Sequence, residues 1–339
     1  MKQALEIEEV PVAAFGDGLK KVIGQLECSA SVLRAEGLKG ASRALFLTQL
    51  AKAGGRPVVV LTPDQNTGEA LLGDLNYFFR YEKTGEVPRF FPAWELLPYE
   101  HLSPLPEISG ERLEILYLLL KGKLPFLVVP IEAAMQCVVP RSELDKLTFP
   151  IAPGETFERE LLEARLSENG YTRTSLVENH GEFSVRGDIV DIYPPASPNP
   201  LRVEFFDDTV ESIREFDVSS QVSVKEIETV EILPVREVCP TLGQRKEGVE
   251  KILKLAEEQE VERAALKELL DKIQHRENFP GIENLAPFFY SRRETLFNYL
   301  PADVLFVIDE EDAVRCKCEH YDELVQSEYA LTRGNREVA

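Results

Sequence analysis

Two stretches of the chain hold residue types that could act on a nucleotide. Residues 37–44 read GLKGASRA and open a helical pattern over Ser42 to Ala53. A phosphate-binding loop has the form G-x-x-x-x-G-K-[ST]: glycine for close backbone approach, lysine on the phosphates, a hydroxyl on Mg²⁺. In the best register Gly37 matches, but Ser42 stands for the second glycine, Arg43 for the lysine and Ala44 for the hydroxyl. The magnesium ligand is lost, and a planar guanidinium replaces a compact ammonium poorly in a tight cradle. Taken alone, these residues read as a plain loop before a helix. The second stretch is VLFVI, Val304 to Ile308, followed by Asp309 and Glu310. An apolar strand ending in Asp-Glu is where an ATPase holds Mg²⁺ and polarises water. With Arg43 and Ala44 opposite, Asp309 and Glu310 read as a remnant or an acidic turn. Cys316, Cys318 and His320 form C-x-C-x-H, but no second Cys or His pair follows, so no metal is expected. His101, His180 and His275 have no Ser or Cys neighbour that would make a nucleophile–base pair. Neither a catalytic constellation nor a cofactor is expected.

These residues depend on α/β elements for their placement. RPVVVL (Arg56 to Leu61) and PFLVVP (Pro125 to Pro130) are short apolar runs of the buried parallel-strand type. Helical patterns over Gly68 to Phe79 and Glu111 to Leu120 alternate with them, and VLFVI adds a further buried strand, so a parallel sheet is predicted. Gly248 to His275 reads as two charged helical runs. The segment Phe90 to Gly110 holds four prolines and the only tryptophan, with Trp94 and Tyr99 read as packing residues.

From about Pro150 to Pro234 the pattern changes. A helix over Glu155 to Asn169 ends at Gly170, and strands are predicted over Tyr171 to Val177, Phe183 to Tyr193, Leu201 to Phe206 and Val210 to Asp217. Asp207-Asp208 forms a hairpin turn, and prolines 194, 195, 198 and 200 mark a stiff connection. Along LRVEFF the period of two puts Arg202, Glu204 and Phe206 on one face. Arg186 on the neighbouring strand, and Arg173 a hairpin's length before it, extend that row of charge. Arg and aromatic residues dominate binding hot spots. A solvated sheet face accounts for the same composition.

The chain has 339 residues, enough for two or three domains, and a hydrophobic fraction of 44% typical of a globular protein. No apolar run approaches the ~20 residues of a membrane span. MKQALEIEEV lacks a secretory apolar segment, and five scattered cysteines (Cys28, Cys137, Cys239, Cys316, Cys318) suit a reducing cytoplasm. A net charge of −21 argues against broad binding to phosphate backbones.

VRGDIVDIYP (Val185 to Pro194) followed by LRVEFFDD (Leu201 to Asp208) resembles the second domain of the excision-repair helicase UvrB. It is more similar still to the matching domain of the bacterial transcription-repair coupling factor (Mfd) family. The resemblance covers nearly the whole chain. It implies a degenerate P-loop NTPase-like parallel-sheet domain, split between residues 1–139 and 235–339, with a small α+β domain inserted at 140–234. Gly37, Ser42, Arg43 and Ala44 then read as a P-loop that has lost its chemistry. UvrB's long DNA-engaging hairpin has no room in residues 90–110. In the family the inserted domain binds UvrA, and the carried-over contacts are Arg186, Arg202 and Phe206, with Glu204 and Arg173 as further positions. The implied role is non-catalytic recruitment in transcription-coupled nucleotide excision repair. A C-terminal domain of the full-length chain masks this face. RNA polymerase and DNA are engaged elsewhere, by a polymerase-binding domain and an ATP-dependent translocase motor. A fragment ending at Ala339 is therefore expected. The competing expectation is a UvrB-type ATP-dependent DNA-unwinding or damage-verifying enzyme. A third is a structural domain that uses the same face to hold its own motor inactive.

Overall fold

The structure, a computed structural model, describes residues 7–11, 22, 24, 32–83, 85, 87–124, 126–259, 261, 263–275 and 279–334; Cys28 and Pro125 lie outside these. The chain forms two compact units, one from residues 1–91, 122–132 and 300–318, the other from 92–121, 133–299 and 319–339. In the first unit, β1 (Ile7–Pro11) and β2 (Val32–Glu36) run parallel as a pair. Helix α1 (Ala41–Gly54), β3 (Val58–Thr62), α2 (Gln65–Tyr81), β4 (Arg89–Phe90) and β5 (Phe126–Pro130) follow. A parallel sheet has the order Leu305–Ile308 strand, β3, β5, β4. Every residue of β3 and β5 is buried, as continuous apolar strands require. Phe46, Leu47 and Leu50 of α1, with Leu71, Leu75 and Phe79 of α2, pack in the same core. Helix α2 starts where the Asp64 carboxylate accepts the Thr67 N–H at 2.9 Å.

One expectation needs correcting in this sheet. VLFVI is an edge strand rather than a buried one, with Phe306 and Ile308 43% and 53% exposed. Among the described residues it pairs only with β3, so alternate side chains reach the surface.

The second unit holds α3 (Pro106–Leu120), β6 (Cys137–Val138), β7 (Phe149–Ile151) and α4 (Arg159–Glu168). A six-stranded sheet follows: β8 (Thr172–Arg173), β9 (Glu182–Arg186), β10 (Ile189–Ile192), β11 (Leu201–Phe206), β12 (Thr209–Phe216) and β13 (Ser223–Glu226). Its strands lie in sequential order, antiparallel except that β8 runs parallel to β9. The predicted strand Phe183 to Tyr193 is therefore two strands. Gly187 at φ 61° turns the chain between them, a conformation that glycine adopts without Cβ strain. Tyr171 to Val177 shortens to two strand residues, and the hairpin expected between it and β9 is a parallel pairing instead. The Asp207-Asp208 turn forms as expected, with Asp207 at φ 56°. On the inner face Phe183, Val190, Ile192, Leu201, Val203, Phe205, Val210 and Ile213 pack with Leu162 and Leu166 of α4. β14 (Val230–Ile232) pairs with β7 and closes that core. The helices Leu242–Glu258 and Arg263–Gln274 build a further apolar cluster.

A buried ion pair ties distant segments of this unit together. Arg112 on α3 donates from Nε to Glu237 Oε1 at 2.6 Å, with side chains 0% and 2% exposed. Glu237 also accepts the Trp94 indole N–H at 3.1 Å and the Val139 backbone N–H at 3.2 Å. Trp94 lies under the Arg112 guanidinium, so it packs and hydrogen-bonds at once. Tyr99 sits against the Tyr329 ring, with centroids 5.3 Å apart. Farther along α3, Gly110 lets the helix touch the proline loop: a Cβ there would lie 2.5 Å from Pro195 Cβ. Arg112→Met leaves the Glu237 charge buried without its partner and should cost about 3–5 kcal/mol, read from denaturant midpoints.

Candidate functional site

The outer face of the six-stranded sheet carries the residues singled out by the strand pattern. Across neighbouring strands, Ser184, Asp191, Arg202, Arg214 and Glu226 lie in register. A second row runs Arg186, Ile189, Glu204, Ser212. The two rows form a polar field over an apolar inner face because side chains alternate along each strand.

At its centre Asp191 is 1% exposed and holds two guanidiniums. Arg202 donates from Nε to Oδ1 at 2.8 Å and from Nη2 to Oδ2 at 3.0 Å, and its Nη1 donates to the Gln221 carbonyl at 3.3 Å. The guanidinium lies over the Phe216 ring, 4.5 Å from its centroid. Hydrogen bonding to Asp191 pushes the Arg202 pKa further up. Arg186 donates from Nη2 to Asp191 Oδ2. The exposures differ: the Arg202 side chain is 15% exposed, that of Arg186 46%. Glu204 accepts from Ser212 Oγ at 2.7 Å and pairs with Arg214 at 3.1 Å. Phe206, at the end of β11, is 76% exposed, the value of a large ring with nothing over it.

Arg186, Arg202, Glu204 and Phe206 thus share one face. Arg173 does not join them. It pairs with Phe183, an inner-face residue, and forms an ion pair with Glu163 of α4 at 2.9 Å. The register of β8, which sets Arg173 opposite Phe183, places it there. Asp191, Arg214 and Ser212 belong to the face without having been singled out from sequence. Asp191 left a signal: it is the lone polar residue in IVDI, on the strand between Arg186 and Arg202.

In the first unit, Gly37 and Gly40 have φ of 82° and 56°, and α1 begins immediately after. The Ser42 hydroxyl donates back to the Lys39 carbonyl at 2.8 Å, and Ala44 is wholly buried. Arg43 donates from Nη1 to Asp309 Oδ2 at 2.7 Å, with side chains 25% and 8% exposed. The cation expected at the lysine position of a phosphate-binding loop therefore pairs with the carboxylate expected at the strand end. Burial raises the Asp309 pKa above the usual carboxylate value, and Arg43 opposes that rise. Among the described residues no three His, Cys, Asp or Glu side chains converge on a metal position, and Cys137, Cys239, Cys316 and Cys318 are free thiols. No helix of the described residues is long and apolar enough to cross a membrane.

Arg43→Ala removes the only charge opposing burial of Asp309, so its pKa rises further. The ionised carboxylate then penalises the folded state above that pKa, and the penalty fades as pH falls through it. A loss of about 1–3 kcal/mol at neutral pH, shrinking toward about pH 4, is expected in denaturant titrations at both pH values.

Comparison with known proteins matches the sheet and most of the chain separately. Residues 149–237 match the model of the UvrB interaction domain. The transcription-repair-coupling factor of Myxococcus xanthus is 35% identical over 323 residues, covering 92% of this chain and 27% of that protein. That of Escherichia coli is 31% identical over 271 residues, covering 80% and 23%. The UvrABC system protein B of Legionella pneumophila (strain Corby) is 26% identical over 320 residues, covering 86% and 48%. The chain spans about a quarter of the length of the coupling factors it matches. The polar sheet face therefore lies within the residues that match the UvrB interaction domain, in a chain similar over most of its length to the transcription-repair-coupling factors.

Proposed function

We propose that this chain is a non-catalytic recruitment module of transcription-coupled nucleotide excision repair, working in the cytoplasm and binding UvrA through the insert at residues 140–234. The observation that carries this reading is the outer sheet face, where an exposed Phe206 stands beside paired arginines on a UvrB interaction domain. An aromatic anchor with adjacent guanidinium donors is the composition of a binding hot spot. Residues 1–139 and 235–339 serve as the split α/β frame of that insert. In the complete protein, RNA polymerase and DNA are engaged by other regions, and a C-terminal domain of the same chain covers the UvrA-binding face. Arg186, Arg202, Glu204 and Phe206 form the proposed binding surface, with Arg173 reached only from the sheet's edge.

The second reading is an ATP-dependent DNA-unwinding enzyme of the UvrB kind, favoured by the similarity to UvrABC system protein B. The Arg43–Asp309 pair weighs against it. Magnesium-nucleotide needs Asp309 free and a hydroxyl at position 44, and neither condition holds.

Calorimetric titration with purified UvrA tests the proposal. The wild-type chain should bind, and Phe206→Ala or Arg186→Ala should each weaken binding at least about tenfold, or about 1.4 kcal/mol. No binding by the wild-type chain, or ATP hydrolysis by it, overturns the recruitment reading.

A further inference from the structure

Resting on the recruitment reading, we infer that Asp191 is the positioning residue of this surface. Arg186 and Phe206 make the direct contacts, and Arg202 acts through Asp191. The partner group facing Arg186 is a carboxylate.

All three nitrogen positions of Arg202 are committed inside the chain, to both Asp191 oxygens and the Gln221 carbonyl. Its ring contact with Phe216 holds it down, and only 15% of the side chain reaches water. Breaking those bonds to greet a partner would strand a buried carboxylate, which is costly. Arg186 is different. One Nη2 bond ties it to Asp191, its Nε and Nη1 have no partner among the described residues, and it is 46% exposed. It offers a partly anchored guanidinium with its remaining donors outward, the geometry that takes a carboxylate.

Asp191 therefore does two things. It cancels one of the two positive charges, leaving a single net charge to be presented. It also fixes where that charge sits, since a long flexible side chain held at one point loses less entropy on binding. The backbone side of Arg186 is held as well. Arg159 of α4 donates to the Gly187 carbonyl at 2.8 Å and to Asp188 at 3.3 Å, clamping the turn that follows Arg186. Ser184, opposite Asp191 on β9, is buried and its hydroxyl has no partner, so it does not compete for the carboxylate.

The experiment is a double-mutant cycle on the full 339-residue chain, with UvrA affinity measured by calorimetry. Asp191→Asn should weaken binding about tenfold where Arg186 is present and less than about twofold in an Arg186→Gln background. Arg202→Lys keeps its charge but loses the bidentate clamp, and it should show the same dependence on Arg186. This variant keeps the proposal falsifiable where Asp191→Asn fails to fold. Thermal melts cannot mimic the pattern, because a general loss of fold would weaken both backgrounds equally. Equal losses in both backgrounds, with a wild-type chain that binds, overturn this inference and leave recruitment standing. A wild-type chain that does not bind UvrA overturns both.

Discussion

A carboxylate shut away from water governs the outer face of the six-stranded sheet. Asp191 sits on the central part of a sheet whose other face is apolar, and it survives there because two guanidiniums answer its charge. Burying one of these ions alone would cost several kcal/mol. Held together, they convert a loose pair of arginines into a fixed array. The alternation of β10, apolar inward and Asp191 outward, is thus the constraint from which the arrangement of Arg186 and Arg202 follows.

The same device recurs in both units. Arg43 meets Asp309 across 266 positions of sequence, and Arg112 meets Glu237 across 125. Each pair joins segments that the chain brings together only on folding. Replacing such a pair with well-packed apolar side chains need not lose stability, so their value lies in selecting one assembly over others. In the first unit that choice has a chemical consequence. A guanidinium tied to the strand-end carboxylate takes up Asp309 Oδ2.

Proximity to the surface separates the two arginines of one cluster. Arg202 and Arg186 have the same chemistry and share one carboxylate, yet their exposures are 15% and 46%. The ring of Phe206 is exposed at the end of β11, beside the Asp207 turn, where its strand partner is the small Thr209.

Local pattern was enough to read much of this molecule. The continuous apolar runs of β3 and β5, the helices alternating with them, and the alternation of LRVEFF all depend on neighbouring residues, and periodicity records that. So did the shared face of Arg202, Glu204 and Phe206, since side chains two apart along a strand cannot avoid one another. Three features were beyond reach, because each depends on partners far away in sequence. Whether Gly187 interrupts a strand depends on whether β9 and β10 fold back on each other. Arg173 turned to the inner side because β8 takes the register that sets it opposite Phe183, and two residues leave no mark of that register. The occupation of Asp309 by Arg43, and of Arg202 by Asp191, was decided by tertiary approach. Sequence supplies the ionisable groups, but only folding settles which charge each one meets and how much water it keeps.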